Sequence, residues 1–378
     1  MKVFFKGKNG ELFPKYFPMS AIEMQDIIDR VDKVIEDDEL TFHIGEFDNK
    51  GVPYQLCGKE FTADVYKLNV LAEKMKALDR NENAAFCALV KAYPPKKIDD
   101  ALNMCYSAGS IPILPCSNAC ELGYWVIDND MMTELNDIPD NVVELLDPQH
   151  IGEVYLERYG GVIENGYYCD VKEYESTNIE ITVDKESGSL FRLLCSPDNN
   201  EKHAQWYELP TDRDTLKEMY DMRCHKIESV LPSINEVYDM GVIYALNDIA
   251  KRLKNSDRGD IIKLKAVMDA KNSHSVGAAD HYSKLLDKYE LDRSTATLNE
   301  FGHKYLECLL PEMDRIEDAD LSSFGEKIMI RIGANITAYG ALSGEGMKLY
   351  PNRNNTQEQE DDEDMDEDED LSMGGLCQ

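Results

Sequence analysis

The sequence predicts an α+β protein built from two tandem copies, and three observations point to this fold. A segment that begins at Leu68-Asn69 recurs 178 residues later at Leu246-Asn247. Both segments place apolar residues three or four positions apart, which is the buried stripe of an amphipathic helix. The chain of 378 residues, 43% of them apolar, is also large enough for two to three packed domains.

The repeat continues in the same order on both sides of this segment. The matched residues are Pro18 and Pro210, Asn69 and Asn247, Asp79 and Asp257, Gly123 and Gly302, and Gly152 and Gly325. An ordered series of this kind indicates an internal duplication. We therefore predict that 1–175 and 176–352 are copies of one another, with equivalent helices over 64–78 and 242–256.

Copy one is predicted to begin with a small α/β subdomain over 1–62. Two apolar runs flank a glycine-containing turn, which is typical of a hairpin over 2–18. Ser20, followed three residues later by Glu23, forms a capping box that starts a helix. Its acids are predicted to face solvent opposite the apolar stripe, and a strand over 41–44 completes the subdomain. These helical acids are Glu23, Asp26, Asp29 and Asp32.

Two further subdomains are predicted in copy one, a helical one over 63–120 and an α/β one over 121–175. The helical one ends in a proline- and cysteine-rich loop over 112–120. The last one ends in a glycine-punctuated hairpin over 159–168. The predicted helices of both lie at 64–78, 82–92, 98–106, 122–130 and 141–146.

Copy two is predicted to repeat this order. It begins with strands over 179–183 and 191–194, continues with a helix after Pro210, and then forms a helical bundle from Val242. Residues 353–378 are polar and acidic and lack an apolar stripe, so they are predicted to form a disordered tail.

The negative charge of the chain argues against two classes of partner, nucleic acids and membranes. The formal net charge is −33 at pH 7, from 73 acidic and 40 basic residues. Only 11 of the acids lie between 358 and 370, so the two copies are themselves strongly acidic. Phosphate contacts need Lys and Arg. We therefore expect neither direct binding to nucleic acid nor association with a membrane.

Motif content favours a binding protein over an enzyme. The ten cysteines lack paired zinc-ligand spacing, so free thiols and no metal site are expected. The absence of a signal peptide and of a long apolar run predicts a cytoplasmic protein. No P-loop, G-x-G-x-x-G, HExxH or G-x-S-x-G motif occurs, so we predict no cofactor and no catalytic activity.

The acidic helices suggest what the chain binds. Helical acids three or four residues apart lie about 5–6 Å from each other, and duplex DNA carries one charge per about 1.7 Å of its axis. Carboxylate-rich helix faces can therefore imitate a row of phosphates. The alternative is an ordinary solvated acidic surface.

Copy one contains a series of short motifs in a fixed order: Phe17-Pro18, Leu68-Asn69-x-Leu71, Leu122-Gly123-Tyr124, Leu135-x-Asp137-Ile138-Pro139 and Leu146-Asp147-x-x-x-Ile151-Gly152. This order resembles the ArdA antirestriction family, which comprises small acidic DNA mimics of conjugative elements and phages. The family's acidic motif runs Asp-Tyr-Glu-x-aromatic-Gly-Arg-Asp. Asp147 and Gly152 match it, whereas Pro148-Gln149 and Glu153-Val154 replace its Tyr-Glu and Arg-Asp pairs.

The resemblance implies an elongated DNA mimic that occupies the DNA-binding groove of a type I restriction–modification enzyme or another DNA-binding protein. Because family members dimerise, the tandem copies would form a pseudo-dimer within one chain, and a homodimer of the whole chain stays open. The implied phosphate-mimicking acids surround the matched motif and its counterpart, and include those of the first helix. They are Glu134, Asp137, Asp140, Glu144, Asp147, Glu153 and Glu157, then Glu312, Asp314, Glu317, Asp318, Asp320 and Glu326, together with Glu23, Asp26, Asp29 and Asp32.

Other functions are compatible with the same sequence. The chain could be an acidic adaptor of a mobile element that binds through its tail, an inhibitor of another nucleic-acid machine such as a CRISPR effector, or an unrecognised enzyme. The salt dependence of binding distinguishes a mimic from an apolar adaptor. The affinity of a mimic for a DNA-binding enzyme falls steeply with ionic strength, whereas that of an apolar interface barely changes.

Overall fold

The computed structural model describes residues 1–351 apart from 32–33, 35–38, 47–52, 136–137, 140–141, 143–144, 173, 177–178, 180–188, 199, 232–233, 235–239, 255 and 311–318. The chain divides into two compact units, Met1–Gly188 (unit one) and Ser189–Gln378 (unit two). Each mixes helices with small antiparallel sheets, so the α+β class is confirmed. The sequence places the boundary earlier, after 175, whereas the backbone N–H of Ile179 still donates to Asn103 of unit one, at 3.1 Å. The predicted tail lies outside the described residues, as does most of the predicted strand over 179–183.

Unit one begins with a four-stranded sheet and one helix. The strands pair antiparallel in the order β2-β1-β3-β4, and the predicted hairpin is confirmed as β1 and β2. The predicted capping box is also confirmed, because Ser20 N–H donates to Glu23 and Glu23 N–H donates to the Ser20 hydroxyl. The elements are β1 (Lys2–Lys6), β2 (Leu12–Tyr16), α1 (Ala21–Arg30), β3 (Glu39–Glu46) and β4 (Glu60–Asp64).

A layer of three helices packs against this sheet. The elements are α2 (Val65–Ala77), α3 (Arg80–Ala92) and α4 (Ile98–Ser107). Asp79 starts α3 by accepting hydrogen bonds from the N–H groups of Asn81 and Glu82, both at 2.8 Å. Fully buried Phe42 of the sheet and Phe86 of α3 belong to one continuous apolar cluster. The first two predicted subdomains therefore share a single core.

The rest of unit one is a helix pair on a three-stranded sheet of order β5-β7-β6. Its elements are β5 (Ile113–Pro115), α5 (Ala119–Asp128), α6 (Pro148–Tyr159), β6 (Val162–Glu164) and β7 (Tyr167–Cys169). The predicted loop over 112–120 is wrong, because Ile113–Pro115 pairs with β7, a partner about 55 residues away that local turn propensity does not reveal. The glycine-punctuated hairpin is confirmed, and half of the predicted helix over 141–146 lies outside the described residues.

Unit two follows the same order of elements, except that β4 of unit one has no counterpart among its described strands. Its sheet runs β10-β8-β9, a helical layer follows, and a helix pair packs on a second sheet of order β11-β13-β12. The elements are β8 (Phe191–Ser196), β9 (Gln205–Leu209), α7 (Arg213–Glu218), β10 (Arg223–Ser229), α8 (Met240–Leu253), α9 (Arg258–Ala270), α10 (Val276–Tyr282), β11 (Leu291–Asp292), α11 (Leu298–Leu309), α12 (Ser322–Ile332), β12 (Asn335–Thr337) and β13 (Gly340–Leu342).

A buried asparagine makes the same contact in each unit. The Asn69 side-chain oxygen accepts a hydrogen bond from Met19 N–H at 2.8 Å, and that of Asn247 accepts one from Thr211 N–H at 2.8 Å. Both donors directly follow the prolines of the Phe17–Pro18 and Leu209–Pro210 peptide bonds, which are cis. Helices α2 and α8 therefore hold the start of the first helical segment of their units in the same way.

Alanine at Asn69 or at Asn247 should destabilise its unit by a similar amount, about 1–3 kcal/mol. Each change leaves a backbone N–H group, that of Met19 or of Thr211, without its hydrogen-bond acceptor. Urea unfolding of the two variants measures the loss. Asn81→Ala, an exposed position on α3, is the control and should change stability by less than about 0.5 kcal/mol. An Asn69 variant as stable as the control would show that the contact is dispensable.

Candidate protein-binding surface

The helix pair of unit one crosses at two glycines. We call residues 113–171, which contain this pair, the acidic lobe. A Cβ on Gly123 would lie 1.7 Å from the carbonyl oxygen of Pro148, and one on Gly152 would lie 1.9 Å from that of Ala119. Each helix therefore packs directly against the backbone at the start of the other helix. Any residue larger than glycine at these two positions would prevent this close approach.

Polar caps fix where these two helices begin. The Asn118 side chain accepts from Glu121 N–H at 3.0 Å at the start of α5. Asp147 accepts from Gln149 N–H at 3.0 Å at the start of α6, where proline occupies the first turn. The Asp147 carboxylate also interacts favourably with the positive end of the α6 dipole.

One face of the pair is an apolar core. Leu122, Val126 and Ile151 are buried together with Tyr155 and Tyr168. The Tyr155 and Tyr168 rings lie 5.9 Å apart, edge to face. Burial raises the pKa of both phenols, so they remain neutral and contribute packing rather than charge.

The opposite faces carry carboxylates. Glu121 and Asp128 of α5 and Glu153 and Glu157 of α6 are exposed. Glu153 and Glu157 lie one turn apart, which separates their Cβ atoms by about 5–6 Å. The exposed ring of Tyr124 lies on α5 among these acids, with 56% of its surface accessible.

Positive charge is missing from this part of the sequence. Residues 98–157 contain 12 Asp and Glu and no Lys or Arg. Among the described acids of this stretch, Asp99 pairs with Lys67 at 2.7 Å and Glu134 pairs with Arg158 at 2.6 Å. Glu134 and Arg158 are both about half exposed, so water screens their attraction. The surface thus retains most of its negative charge.

The counterpart stretch of unit two has a similar backbone but a different charge. A Cβ on Gly302 would lie 2.6 Å from the Leu321 carbonyl oxygen, and one on Gly325 would lie 2.2 Å from that of Leu298, so α11 and α12 cross like α5 and α6. Residues 276–330 also contain 12 Asp and Glu, but they include six Lys and Arg. The net formal charge of this stretch is −6, against −12 in unit one.

The structure places about half of the predicted contact acids. The exposed ones are Glu134, Asp147, Glu153 and Glu157 on the acidic lobe, with Asp320 and Glu326 in unit two. The predicted acids that lie outside the described residues are Asp32, Asp137, Asp140, Glu144, Glu312, Asp314, Glu317 and Asp318.

The prediction that the acids of α1 face solvent is wrong. Asp26 is 6% exposed and Asp29 is 1% exposed. Lys15 of β2 donates to Asp26 at 2.9 Å, because the hairpin covers a second side of the helix beyond its apolar stripe. Glu23 is half-buried and its carboxylate is used in the capping box. The acids of α1 therefore serve the fold of the first sheet.

Sequence reasoning missed several exposed acids of the acidic lobe. Glu121, Asp128 and Asp130 are exposed, and none of them belongs to the motif that carried the family resemblance. The signal that finds them is the 60-residue interval without Lys or Arg, which is visible in the sequence. The gap in basic residues thus locates these exposed acids, which the acidic motif does not.

The described part of the chain offers no cluster of three or more His, Cys, Asp or Glu placed to hold a metal ion. Every described helix is too short or too polar to cross a bilayer. No protein-family model matches the chain, and no curated protein matches it.

Proposed function

We propose that the protein is a DNA-mimicking inhibitor whose acidic lobe occupies the DNA-binding groove of a type I restriction–modification enzyme. The observation that carries this proposal is the run of exposed carboxylates on α5 and α6 within 60 residues that contain no Lys or Arg. A groove that binds phosphates presents Lys and Arg, so it is complementary in charge to this lobe. The resemblance of copy one to the ArdA family supplies the class of target.

We further infer that the two units are tandem copies, and that copy one carries most of the binding. Their element order apart from β4, their buried asparagines and their crossing glycines correspond in sequence order. Such coincident features at equivalent positions are expected from duplication of one domain. The six basic residues of the counterpart stretch weaken its similarity to a phosphate row.

The mechanism predicts a graded response to charge removal. Each exposed carboxylate contributes at most about 1 kcal/mol to binding, because water screens it, which corresponds to about fivefold in affinity. Glu153→Gln alone should therefore change the affinity less than about fivefold. Adding Glu157→Gln and Asp128→Asn should weaken binding by about tenfold or more. Six substitutions, with Glu121→Gln, Asp130→Asn and Glu134→Gln also present, should weaken it further.

Competition with a DNA duplex for a purified type I restriction–modification enzyme measures these affinities, and repeating it at several salt concentrations gives their salt dependence. A matched control removes three exposed acids around α7, with Asp214→Asn, Glu218→Gln and Asp221→Asn. This control should bind as the unaltered protein does. If both triple variants lower the affinity equally, overall charge rather than the acidic lobe determines binding. Complete loss of binding from one substitution would contradict the mimicry mechanism.

A further inference from the structure

Two cysteines face each other across neighbouring strands of unit two. Cys224 of β10 pairs in register with Cys195 of β8, and Lys226 pairs with Leu194. His225 is thus an extra residue, and the β10 strand bulges there. Both thiols are free.

The bulge is what brings the two thiols together. In a regular strand Lys226 and Cys224 would point to the same face, and Cys195, one position from Leu194, would point to the other. The extra residue shifts the alternation of side chains along β10 by one position. The Cys224 side chain therefore lies on the same face of the sheet as that of Cys195. The His225 imidazole lies 2.6 Å from the hydroxyl of buried Ser196, a contact that holds the bulged residue.

The pair has the spacing that a disulfide requires. Directly opposed residues of an antiparallel sheet have Cα atoms about 4.5–5.5 Å apart, within the range of about 4.4–6.8 Å that disulfides span. The Cys195 thiol already donates a hydrogen bond to the Cys224 sulfur. Formation of the bond therefore needs side-chain rotation rather than movement of the strands.

The two thiols differ in access and in acidity. Cys224 is half-buried and Cys195 is 1% exposed. The hydrogen bond from Cys195 lowers the pKa of Cys224 and raises that of Cys195. Burial raises the pKa of Cys87 and of Cys169 to about 12, so those thiols are inert by comparison. An accessible, acidic thiol beside a second thiol is the arrangement found in redox-responsive cysteine pairs.

We propose that Cys195 and Cys224 form a reversible disulfide that joins β8 to β10, with a small-molecule disulfide such as glutathione disulfide as the oxidant. The Cys224 thiolate attacks one sulfur of that disulfide and releases one glutathione thiolate. The Cys195 thiol then loses its proton, attacks the Cys224 sulfur and releases the second glutathione. Two protein thiols are oxidised, and one glutathione disulfide is reduced to two thiols.

The full-length protein is incubated with glutathione disulfide, digested without reductant and analysed by mass spectrometry. We expect one linked peptide that joins Cys195 to Cys224 and disappears on treatment with dithiothreitol. Half-exposed Cys57 and Cys308 are internal controls and should carry at most a glutathione adduct. The oxidised protein should melt about 5 °C or more above the reduced protein, because the bond closes a loop of the unfolded chain.

Two variants separate the proposal from simple thiol exposure. In Cys195→Ala the linked peptide should vanish and a stable glutathione adduct should accumulate on Cys224, which also shows that the strand is folded and reactive. In Cys224→Ser both the link and the gain in melting temperature should be lost. A stable adduct on Cys224 of the unaltered protein, or a link between other cysteines, would overturn the proposal.

Discussion

Alanine at Gly152 should destabilise the acidic lobe by about 3 kcal/mol or more. The added methyl group would lie 1.9 Å from the carbonyl oxygen of Ala119, so α5 and α6 would have to separate. Separation opens the core around Leu122 and Ile151, which adds a cavity cost to the overpacking cost. Trp125 of α5 reports the loss by fluorescence in urea, in a background where Trp206, the other tryptophan, is replaced by phenylalanine.

Gly277→Ala is the matched control for this change. Gly277 lies in helix α10, and a Cβ added there meets no atom within 4 Å. Because Gly277 belongs to unit two, its unfolding is followed by Trp206 in a background where Trp125 is replaced by phenylalanine. That variant should be neutral or more stable by up to about 1 kcal/mol, because alanine favours the helix over glycine. A Gly152 variant as stable as this control would show that the helices can separate without loss, and that the crossing is not constrained.

Asparagine at Asp292 should destabilise the last lobe of unit two by about 2–4 kcal/mol. One carboxylate oxygen of Asp292 accepts from Thr295 at 2.7 Å, from Lys304 at 2.8 Å and from Tyr350 at 2.7 Å. These bonds connect β11 to α11 and to the segment at Tyr350. Hydrogen bonds to a charged acceptor contribute more than neutral ones, and the variant also leaves the Lys304 ammonium without its carboxylate.

The same contacts make the lobe sensitive to acid. Burial opposes ionisation of Asp292, yet hydrogen bonds from Lys304, Ser294, Thr295 and Tyr350 outweigh it and hold the pKa well below its usual range. A depressed folded pKa stabilises the protein above the unfolded value of about 3.9, and this contribution is lost as the pH falls toward the folded value. The urea midpoint of the native protein should therefore decline below about pH 5, and that of Asp292→Asn should decline less.

A surface ion pair provides the control for Asp292. Asp214 pairs with Lys217 at 2.8 Å, but 86% of the Asp214 side chain is exposed. Asp214→Asn should change neither the midpoint at neutral pH nor its acid dependence. If Asp292→Asn behaves like this control, the half-buried Asp292 carboxylate does not hold the lobe together.

The sequence correctly predicted the elements that are stabilised by residues close to one another in the chain. The Ser20–Glu23 capping box, the hairpin of β1 and β2, and helices α2 to α4 all depend on residues close in sequence. Strands β9 and β10 were missed because their charged and polar residues obscure the apolar alternation, and they become strands only through pairing with β8.

Burial of charged groups was the other property that sequence patterns did not reveal. The apolar stripe of α1 identifies one covered face, but Lys15 reaches Asp26 from a strand that covers a second face. A periodicity argument has no information about that second contact. For the acidic lobe, by contrast, the absence of Lys and Arg over 60 residues is a property of composition and required no coordinates to find.

The glycine crossings have a consequence for how such a surface can evolve. In both helix pairs the crossing glycines lie against backbone carbonyl oxygens at the start of the partner helix, so no exposed side chain takes part in these contacts. Substitutions on the outer faces therefore leave the crossing geometry intact, as the different charges of the two stretches, −12 and −6, illustrate. The charge pattern of the outer faces can therefore change residue by residue on a constant scaffold. The same property makes the helix pair a suitable frame for engineered arrays of surface charge.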